Sequence, residues 1–282
     1  MFRKSATKAG IVITAAMFAG QVFAQPYGYA VNSDGFRVPE EQIDNLFRIN
    51  LSTGEAERIG ATGFLDIEGL SFSSEGELMG ADDESNSLLS IDVFTGAGRA
   101  IGGFSGNLLL PASQVLDFGL SFTCDALYAT SDNLSTLYII DHETGEAELI
   151  GHTSVPITGL ASYGEVLYGI GAGELAPALY RIDPESAETS MIGPLGSGAK
   201  PYVDAGLAFD EEGQLWAITD RRNVGGESFP SQILTIDINT GTATDIAETI
   251  YGIEAVAITA PGGCDPVGPQ PNPALPVPTL ST

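Results

Sequence analysis

A short sequence unit recurs five times along the chain and is clearest in residues 137–170. It contains four apolar segments, each bounded by glycine or by polar turn residues, and none has the spacing of an amphipathic helix. The first segment ends in Ile-Asp and the second ends in Ile-Gly. The third contains Gly-Leu and the fourth contains Leu-Tyr-Gly. Four short strands in about 35 residues predict a four-stranded antiparallel meander that repeats along the chain.

The five copies align at the apolar residue that opens the first strand of each unit. These residues are Leu46, Leu88, Leu137, Leu179 and Ile233. The fifth copy lacks the Leu-aromatic-small strand, and residues 26–30 supply a segment of that type. We therefore expect a strand at residues 27–31 to pair with a strand at residues 253–258, which closes a ring and removes the exposed sheet edge. The predicted fold is an all-β, five-bladed β-propeller.

The two ends of the chain differ from the repeats. Residues 1–24 have a basic start, a short apolar stretch and a final Val-Phe-Ala, which is typical of a bacterial secretory signal peptide. The apolar stretch is shorter than the roughly 20 residues that a membrane span needs. The propeller then occupies residues 25–260, and residues 261–282 form a proline-rich, extended tail. The sequence predicts a protein secreted to the periplasm, cell surface or exterior of a bacterium.

The mature chain is strongly acidic. The full sequence has 11 basic and 37 acidic residues, and three of the basic residues belong to the predicted signal peptide. The remainder carries a formal net charge of −29. Such a field repels nucleic acid and anionic lipid, which argues against both as partners, and attracts divalent cations and cationic ligands. Solubility in a salty or crowded exterior is the alternative explanation of the charge.

Motifs of common hydrolytic and calcium-binding sites are missing. The sequence has no G-x-S-x-G, no H-E-x-x-H and no EF-hand loop, and its two histidines lie in different predicted loops. The two cysteines, Cys124 and Cys264, both belong to the exported part. An even count in an oxidising compartment favours a disulfide over a metal site, and two independent thiols are the alternative.

The order of the motifs resembles the NHL and YVTN-like families of extracytoplasmic β-propellers over residues 26–259. The resemblance implies that the Gly-Leu segments are the innermost strands and that the Ile-Gly segments are the outermost. Residues 276–281 resemble the IPTL-type C-terminal sorting signal of Gram-negative surface proteins, without the Trp-Gly, apolar span and basic end of that family. Either the chain is cut short or this match is a coincidence.

In this frame the connections separate onto two faces of the ring. Short turns lie on one side, the tight-turn face, where the predicted disulfide would also lie. Longer connections lie on the other side, the long-loop face, at residues 32–44, 103–114, 194–201 and 220–231. Long loops on a rigid scaffold commonly carry binding sites, and neutral insertion is the alternative because surface loops cost little stability.

Four carboxylates are expected near the channel mouth on the long-loop face. Asp117 and Asp204 lie two residues before the glycine of a Gly-Leu segment. Glu68 lies one residue before such a glycine, and Glu254 lies one residue before the residue that replaces this glycine in the fifth copy. Converging carboxylate oxygens suit Ca²⁺, which takes six to eight oxygen ligands. The alternative is that they are solvated or cap backbone N–H groups.

Arg221 and Arg222 form the only pair of adjacent basic residues in the mature chain. With Tyr202 and Tyr251 nearby in the predicted fold, they are candidates to bind an anionic or sugar ligand. An internal ion pair within the loop is the alternative.

Together these observations predict a secreted or surface-displayed, monomeric binding module without a membrane-spanning segment in the mature chain. Its ligand, a glycan or a protein, is expected at the long-loop face. The alternative is an extracellular hydrolase or lyase acting on a carbohydrate or a lactone, with Ca²⁺ at the channel mouth.

Overall fold

The structure is a computed structural model that describes residues 26–32, 45–104, 118–173 and 177–264. The predicted signal peptide and residues 265–282, with the sorting-signal motif, lie outside the described residues. No helix in the described ranges is long and apolar enough to cross a membrane.

The described residues form twenty strands. These are β1 (Tyr27–Asn32), β2 (Asn45–Asn50), β3 (Ala56–Ala61), β4 (Ile67–Phe72), β5 (Leu78–Asp82), β6 (Ser87–Ile91), β7 (Gly98–Gly103), β8 (Phe118–Phe122), β9 (Leu127–Ser131), β10 (Thr136–Ile140), β11 (Ala147–His152), β12 (Ile157–Tyr163), β13 (Val166–Gly171), β14 (Ala178–Ile182), β15 (Thr189–Pro194), β16 (Ala205–Phe209), β17 (Leu215–Thr219), β18 (Gln232–Ile236), β19 (Ala243–Glu248) and β20 (Ile253–Ala257).

The strands make five four-stranded antiparallel sheets arranged as the blades of a β-propeller, so the fold prediction is confirmed for the part of the chain that the structure describes. Blade 1 has the order β20-β1-β2-β3, and blades 2 to 5 each take four consecutive strands, from β4-β5-β6-β7 to β16-β17-β18-β19. The predicted ring closure is also confirmed. Tyr29 pairs with Ala257 and Ala30 pairs with Val256, which joins the two ends of the propeller in one sheet.

The innermost strand of each blade packs against the innermost strands of both neighbours, in the ring order β4, β8, β12, β16 and β20. The approach is close at the glycine of the Gly-Leu segment. A Cβ atom on Gly159 would lie 2.3 Å from the carbonyl oxygen of Ala205, well inside van der Waals contact. A ring of only five blades brings its inner strands this near, which accounts for the recurrent glycine.

The polar residue that ends the first strand of each unit caps the following turn. Asp141 Oδ1 accepts the backbone N–H of Glu143 at 2.9 Å and of Thr144 at 3.2 Å. These hydrogen bonds to the ionised form lower the pKa of Asp141. The same Asx turn occurs in the other four units, at Asn50, Asp92, Asp183 and Asp237.

Five clusters of buried apolar side chains hold the ring together, one at each boundary between neighbouring blades in the described chain. The cluster between blades 1 and 2 joins Val31 and Leu46 to Ile67 and Leu89. Because every blade shares its core with two neighbours, the loss of one blade exposes apolar surface on both sides of the gap.

The chain crosses the channel after β20. Residues 258–262 cover a cavity of about 30 Å³ that is otherwise lined by the ends of all five innermost strands. The backbone N–H of Gly164 donates to the carbonyl oxygen of Gly262 at 2.7 Å. Cys264 then forms a disulfide with Cys124 in the turn after β8, with the Cα atoms 5.6 Å apart. The predicted disulfide is therefore confirmed, and the crossing segment closes the channel at the tight-turn face.

Candidate functional site

The channel itself is too narrow for a ligand. Its end at the long-loop face contains a cavity of about 10 Å³, lined by Glu68, Thr158 and the glycines of the innermost strands. A single water molecule needs about that much space. Since the other end is covered by residues 258–262, the described part of the channel leaves the faces of the ring as the places with room for a ligand.

A β-bulge changes which carboxylates are equivalent at the channel mouth. The bulge between Ile67 and Gly69 leaves Glu68 as an extra residue in β4, whereas β16 pairs with β17 without interruption. Asp66 therefore occupies the position of Asp204. The backbone carbonyl oxygens of Asp66 and Asp204 each accept a hydrogen bond from the backbone N–H of the residue that follows the second strand of their blade. Counting back from the glycine missed Asp66, because a bulge cannot be seen in the spacing alone.

Asp66, Glu68 and Asp83 bring carboxylate oxygens within 4.8 Å of one another. Glu68 Oε2 also accepts the backbone N–H of Phe118 at 3.2 Å, which is the capping role that the sequence left open. Asp83 follows β5 directly and was not singled out by the sequence pattern. Its position is fixed by its backbone N–H, which donates to the carbonyl oxygen of Asp66 at 3.0 Å.

The other predicted calcium ligands lie in different surroundings. Asp204 Oδ1 accepts the hydroxyl of Thr158 at 2.7 Å, and Glu254 forms an ion pair with Arg222. In the described part of the chain, Glu68, Asp204 and Glu254 do not form one group of oxygens at ligand distance. Asp117 lies outside the described residues.

Arg222 is buried between two carboxylates. Its Nε lies 2.9 Å from Asp220 Oδ2, and its other end pairs with Glu254. Burial alone would lower the pKa of Arg222, but the two carboxylates outweigh burial and raise it. The geometry is that of an internal ion pair which fixes the 220–231 loop to β20.

Arg221 is also buried and turns toward the same loop. Its guanidinium donates to the carbonyl oxygens of Pro201 and Pro230, at 3.3 and 3.4 Å, and stacks over Phe229. Its Nη1 lies 3.5 Å from Glu248. Both arginines therefore contribute to the structure of the long-loop face.

Replacement of Arg222 by methionine is expected to lower the free energy of unfolding by about 3 kcal/mol, because Asp220 and Glu254 would remain buried without their cation. Urea unfolding measures the effect. The double variant Arg222→Met, Glu254→Gln should recover part of the loss, since one of the two orphaned charges is removed as well. A single variant as stable as the wild type would show that the ion pair does not hold the loop.

A cup of about 330 Å³ lies on the long-loop face. Its wall includes Asp132 of blade 3, Gly173 of blade 4, and Asp204 and Val224 of blade 5. Tyr202 also lines the cup, but the residue is only 2% exposed. The Tyr202 hydroxyl donates to the carbonyl oxygen of Gly171 at 2.7 Å, and burial raises its pKa. Tyr202 therefore anchors the floor, while the carboxylates form the polar part of the wall.

Loops from three blades form this cup, and Tyr251 lies outside it with 39% of its surface exposed. Asp132 directly follows the second strand of its blade, as Asp83 and Asp220 do. That recurrence was the sequence signal that could have identified Asp132. A groove of similar volume, about 340 Å³, lies on the tight-turn face between blades 2 and 3.

Asp82 is a further carboxylate that the sequence pattern did not identify. It is 1% exposed at the end of β5, and its Oδ2 accepts the backbone N–H of Ser85 at 2.9 Å. Its Oδ1 has no hydrogen-bond partner in the described structure. Burial raises the pKa of Asp82, and the hydrogen bonds from Ser85 offset part of the increase.

Asp82→Asn is expected to stabilise the protein at pH 7 by about 1 kcal/mol, because it removes a buried charge and keeps an oxygen for Ser85. The raised pKa means that the folded state binds the proton more tightly than the unfolded state. The advantage of the variant should therefore shrink as the pH falls through the raised pKa toward 3.8. Unfolding measured between pH 7 and pH 4, with exposed Glu212→Gln as control, tests this; a difference that does not change with pH would contradict it.

No protein-family model and no curated protein matches the chain. Among solved structures, a chain from a nidogen/laminin complex superposes with a TM-score of 0.52 at 12% identity, over 83% of this chain and 98% of that chain. Virginiamycin B lyase from Staphylococcus aureus superposes with a TM-score of 0.44 at 16% identity, over 78% of this chain and 70% of that chain. Hydrazine synthase from Kuenenia stuttgartiensis superposes with a TM-score of 0.39 at 13% identity, over 70% of this chain and 58% of that chain. At these identities the similarity concerns the fold alone.

Proposed function

We propose that this β-propeller is a binding module that holds an extracellular glycan or protein against its long-loop face. The observation that carries the proposal is the cup of about 330 Å³, to which loops of three blades contribute. Its volume is in the range of small-ligand sites, which are commonly 300 to 1,000 Å³. The nearly closed channel supports the same conclusion, because it leaves the faces as the places where a ligand can bind.

The chemistry of the cup favours a ligand that donates hydrogen bonds. Asp132 and Asp204 are acceptors when ionised, and the described residues that line the cup include no lysine or arginine. Sugar hydroxyls and protein amino or guanidinium groups are donors of the required kind. An anionic ligand would be repelled by both carboxylates.

Binding to glycan and peptide arrays, with and without Ca²⁺, tests the proposal. The variant Asp132→Asn, Asp204→Asn keeps the shape of the cup and removes its charge, and should lose most of the signal. The matched control is Glu75→Gln, Glu77→Gln in the groove on the tight-turn face, which should bind as the wild type does. Equal binding by all three proteins would exclude the cup as the site.

We also propose that Ca²⁺ binds near the channel mouth. The approach of Asp66, Glu68 and Asp83 supports this and adds two carboxylates to the predicted set of Glu68, Asp117, Asp204 and Glu254. Ca²⁺ that binds only the folded state raises the melting temperature with concentration. We expect Asp66→Asn, Asp83→Asn and, separately, Asp117→Asn, Asp204→Asn to reduce that rise. A shift that is equal in all variants would show general screening instead of a site.

A carbohydrate- or lactone-active enzyme is the second candidate, because two carboxylates in one pocket can act as acid and base. Asp132 and Asp204 are the pair that lines a common cup. Turnover of fluorogenic glycosides and lactones, abolished by Asp204→Asn with binding retained, would favour the enzyme. Binding without turnover favours the module.

Export is part of the proposal, since residues 1–24 have the features of a signal peptide. N-terminal sequencing of the exported protein should begin at Gln25. Recovery of the uncut chain from the cytoplasm would contradict it.

A further inference from the structure

The cup on the long-loop face combines polar side chains with an apolar wall. Asp132 of blade 3 and Asp204 and Asn223 of blade 5 supply the polar groups. The apolar part of the wall is Ala172, Val203 and Val224. A sugar ring matches a wall of this mixed kind, because it carries hydroxyl groups around its edge and C–H groups on its faces.

The two carboxylates of the cup are already engaged. Asp204 Oδ1 accepts the hydroxyl of Thr158 at 2.7 Å, and Thr158 Oγ1 accepts the backbone N–H of Ala205 at 3.4 Å. Asp132 has an interaction partner as well. A carboxylate has about four acceptor sites, so an engaged carboxylate can still accept a ligand hydroxyl, in an orientation that its partner fixes. This arrangement favours a hydrogen-bonded ligand and creates no demand for a cation.

Asn223 gives the cup a hydrogen-bond donor. Its side chain is exposed, and its amide makes no hydrogen bond with the described residues. An amide offers two donors and one acceptor, whereas ionised carboxylates only accept. A ligand that uses both kinds of group must itself donate and accept. Hydroxyl groups do both, but ammonium and guanidinium groups only donate.

The loop that carries Asn223 is held in place before a ligand arrives. The Asn223 backbone N–H donates to Ser228 Oγ at 3.2 Å. Gly225 and Gly226, with φ of +60° and +85°, form the turn of a small hairpin that the Val224–Glu227 bridge closes. The ion pairs of Arg222 fix the base of the loop. A preformed loop of this kind lowers the entropic cost of binding.

We infer that the cup binds a neutral sugar, with Asn223 as a specificity-determining residue and Thr158 as the residue that positions Asp204. This inference rests on the proposed function and names its ligand class. An acidic sugar would be repelled by two carboxylates, and a neutral one would not. The volume of about 330 Å³ is near the lower end of small-ligand sites, which suits a terminal unit of a glycan.

The test measures binding of neutral methyl glycosides by saturation-transfer NMR, with a methyl glucuronide as the acidic probe and cadaverine as the cationic probe. At least one neutral glycoside should bind, equally well at low and at high salt, because no net charge is paired. Cadaverine and the glucuronide should bind more weakly than that glycoside. Thermal unfolding of each variant checks that it is folded.

Variants of Asn223 separate a neutral ligand from a cationic one. Asn223→Gly removes the amide and tolerates the positive φ of +54°, and it should bind the glycoside about tenfold more weakly. Asn223→Asp keeps the shape but loses the donors, so it should also bind the glycoside more weakly, although a cation would bind it more tightly. Asn239→Ala, at an exposed asparagine of the same blade on the tight-turn face, should bind as the wild type does.

The positioning role of Thr158 has its own comparison. Thr158→Val removes the hydroxyl that holds Asp204 and should weaken glycoside binding, and Thr158→Ser should restore it because serine keeps a hydroxyl there. Equal binding by the valine and serine variants would show that Thr158 does not position Asp204.

Two results would overturn the inference as a whole: cadaverine that binds more tightly than every neutral glycoside, or glycoside binding that Asn223→Gly and Asn223→Asp leave unchanged. Failure of the inference differs from failure of the proposed function. A peptide that binds the wild type but not Asp132→Asn, Asp204→Asn, with no neutral glycoside bound, would overturn the sugar and leave the cup as the site. Binding that no cup variant affects would overturn both.

Discussion

Deletion of residues 26–32 is expected to abolish the folded monomer. This segment is β1, which lies between β20 and β2 in blade 1 and supplies buried Ala30 and Val31 to the cores shared with blades 5 and 2. Its removal leaves two unpaired strand edges and opens both apolar clusters, and exposed edges of this kind promote aggregation.

Size-exclusion chromatography and thermal unfolding measure the result of the deletion. A deletion of equal length within residues 265–282, which follow the last described residue, is the control and should leave the protein monomeric with its melting temperature unchanged. A soluble β1-deleted monomer with the wild-type melting temperature would show that the ring does not depend on this strand.

Loss of the disulfide is expected to have the next largest effect. Cys124 and Cys264 are separated by 140 residues, and closing a loop of that length stabilises the folded state by up to roughly 5 kcal/mol in the chain-entropy account. Cys124→Ser should lower the free energy of unfolding by a large part of that amount, because residues 258–264 would be held over the channel by non-covalent contacts alone.

Three comparisons test the disulfide prediction. Cys124→Ser, Cys264→Ser and the double variant should be equally destabilised in urea, since each loses the same bond. The unreduced wild type should show no cysteine that reacts with an alkylating reagent. A loss below about 1 kcal/mol, or two reactive thiols in the exported protein, would show that the disulfide does not stabilise the propeller in this way.

The sequence was sufficient for the architecture because each repeated residue has a local physical task. Asp141 caps a turn, and Gly159, which has no Cβ atom, allows the neighbouring innermost strand to pack closely. Their recurrence therefore marks strand ends with little ambiguity. Ring closure was predictable for a similar reason: the fifth copy lacks a strand and the N-terminal segment supplies one, so a single pairing completes the pattern.

The candidate site was less predictable because it depends on register and on loops that meet in space. The bulge at Glu68 moves Asp66 into the position of Asp204, and no spacing in the sequence indicates an inserted residue of this kind. The pairing of Arg222 with Glu254 joins residues of two blades. The cup around Asp132 likewise requires loops of three blades to come together, which local patterns do not encode.

We propose that the long-loop face is the binding face. The most direct test of this proposal places a photo-crosslinking amino acid at Val203 on that face or at Phe94 on the tight-turn face, and irradiates the protein in the cells that produce it. Both positions are exposed, at 37% and 89% respectively, so a merely accessible surface would favour Phe94. Binding at the long-loop face should give a discrete crosslinked adduct from Val203 and none from Phe94. An adduct from Phe94 alone, or equal yields from both positions, would contradict it.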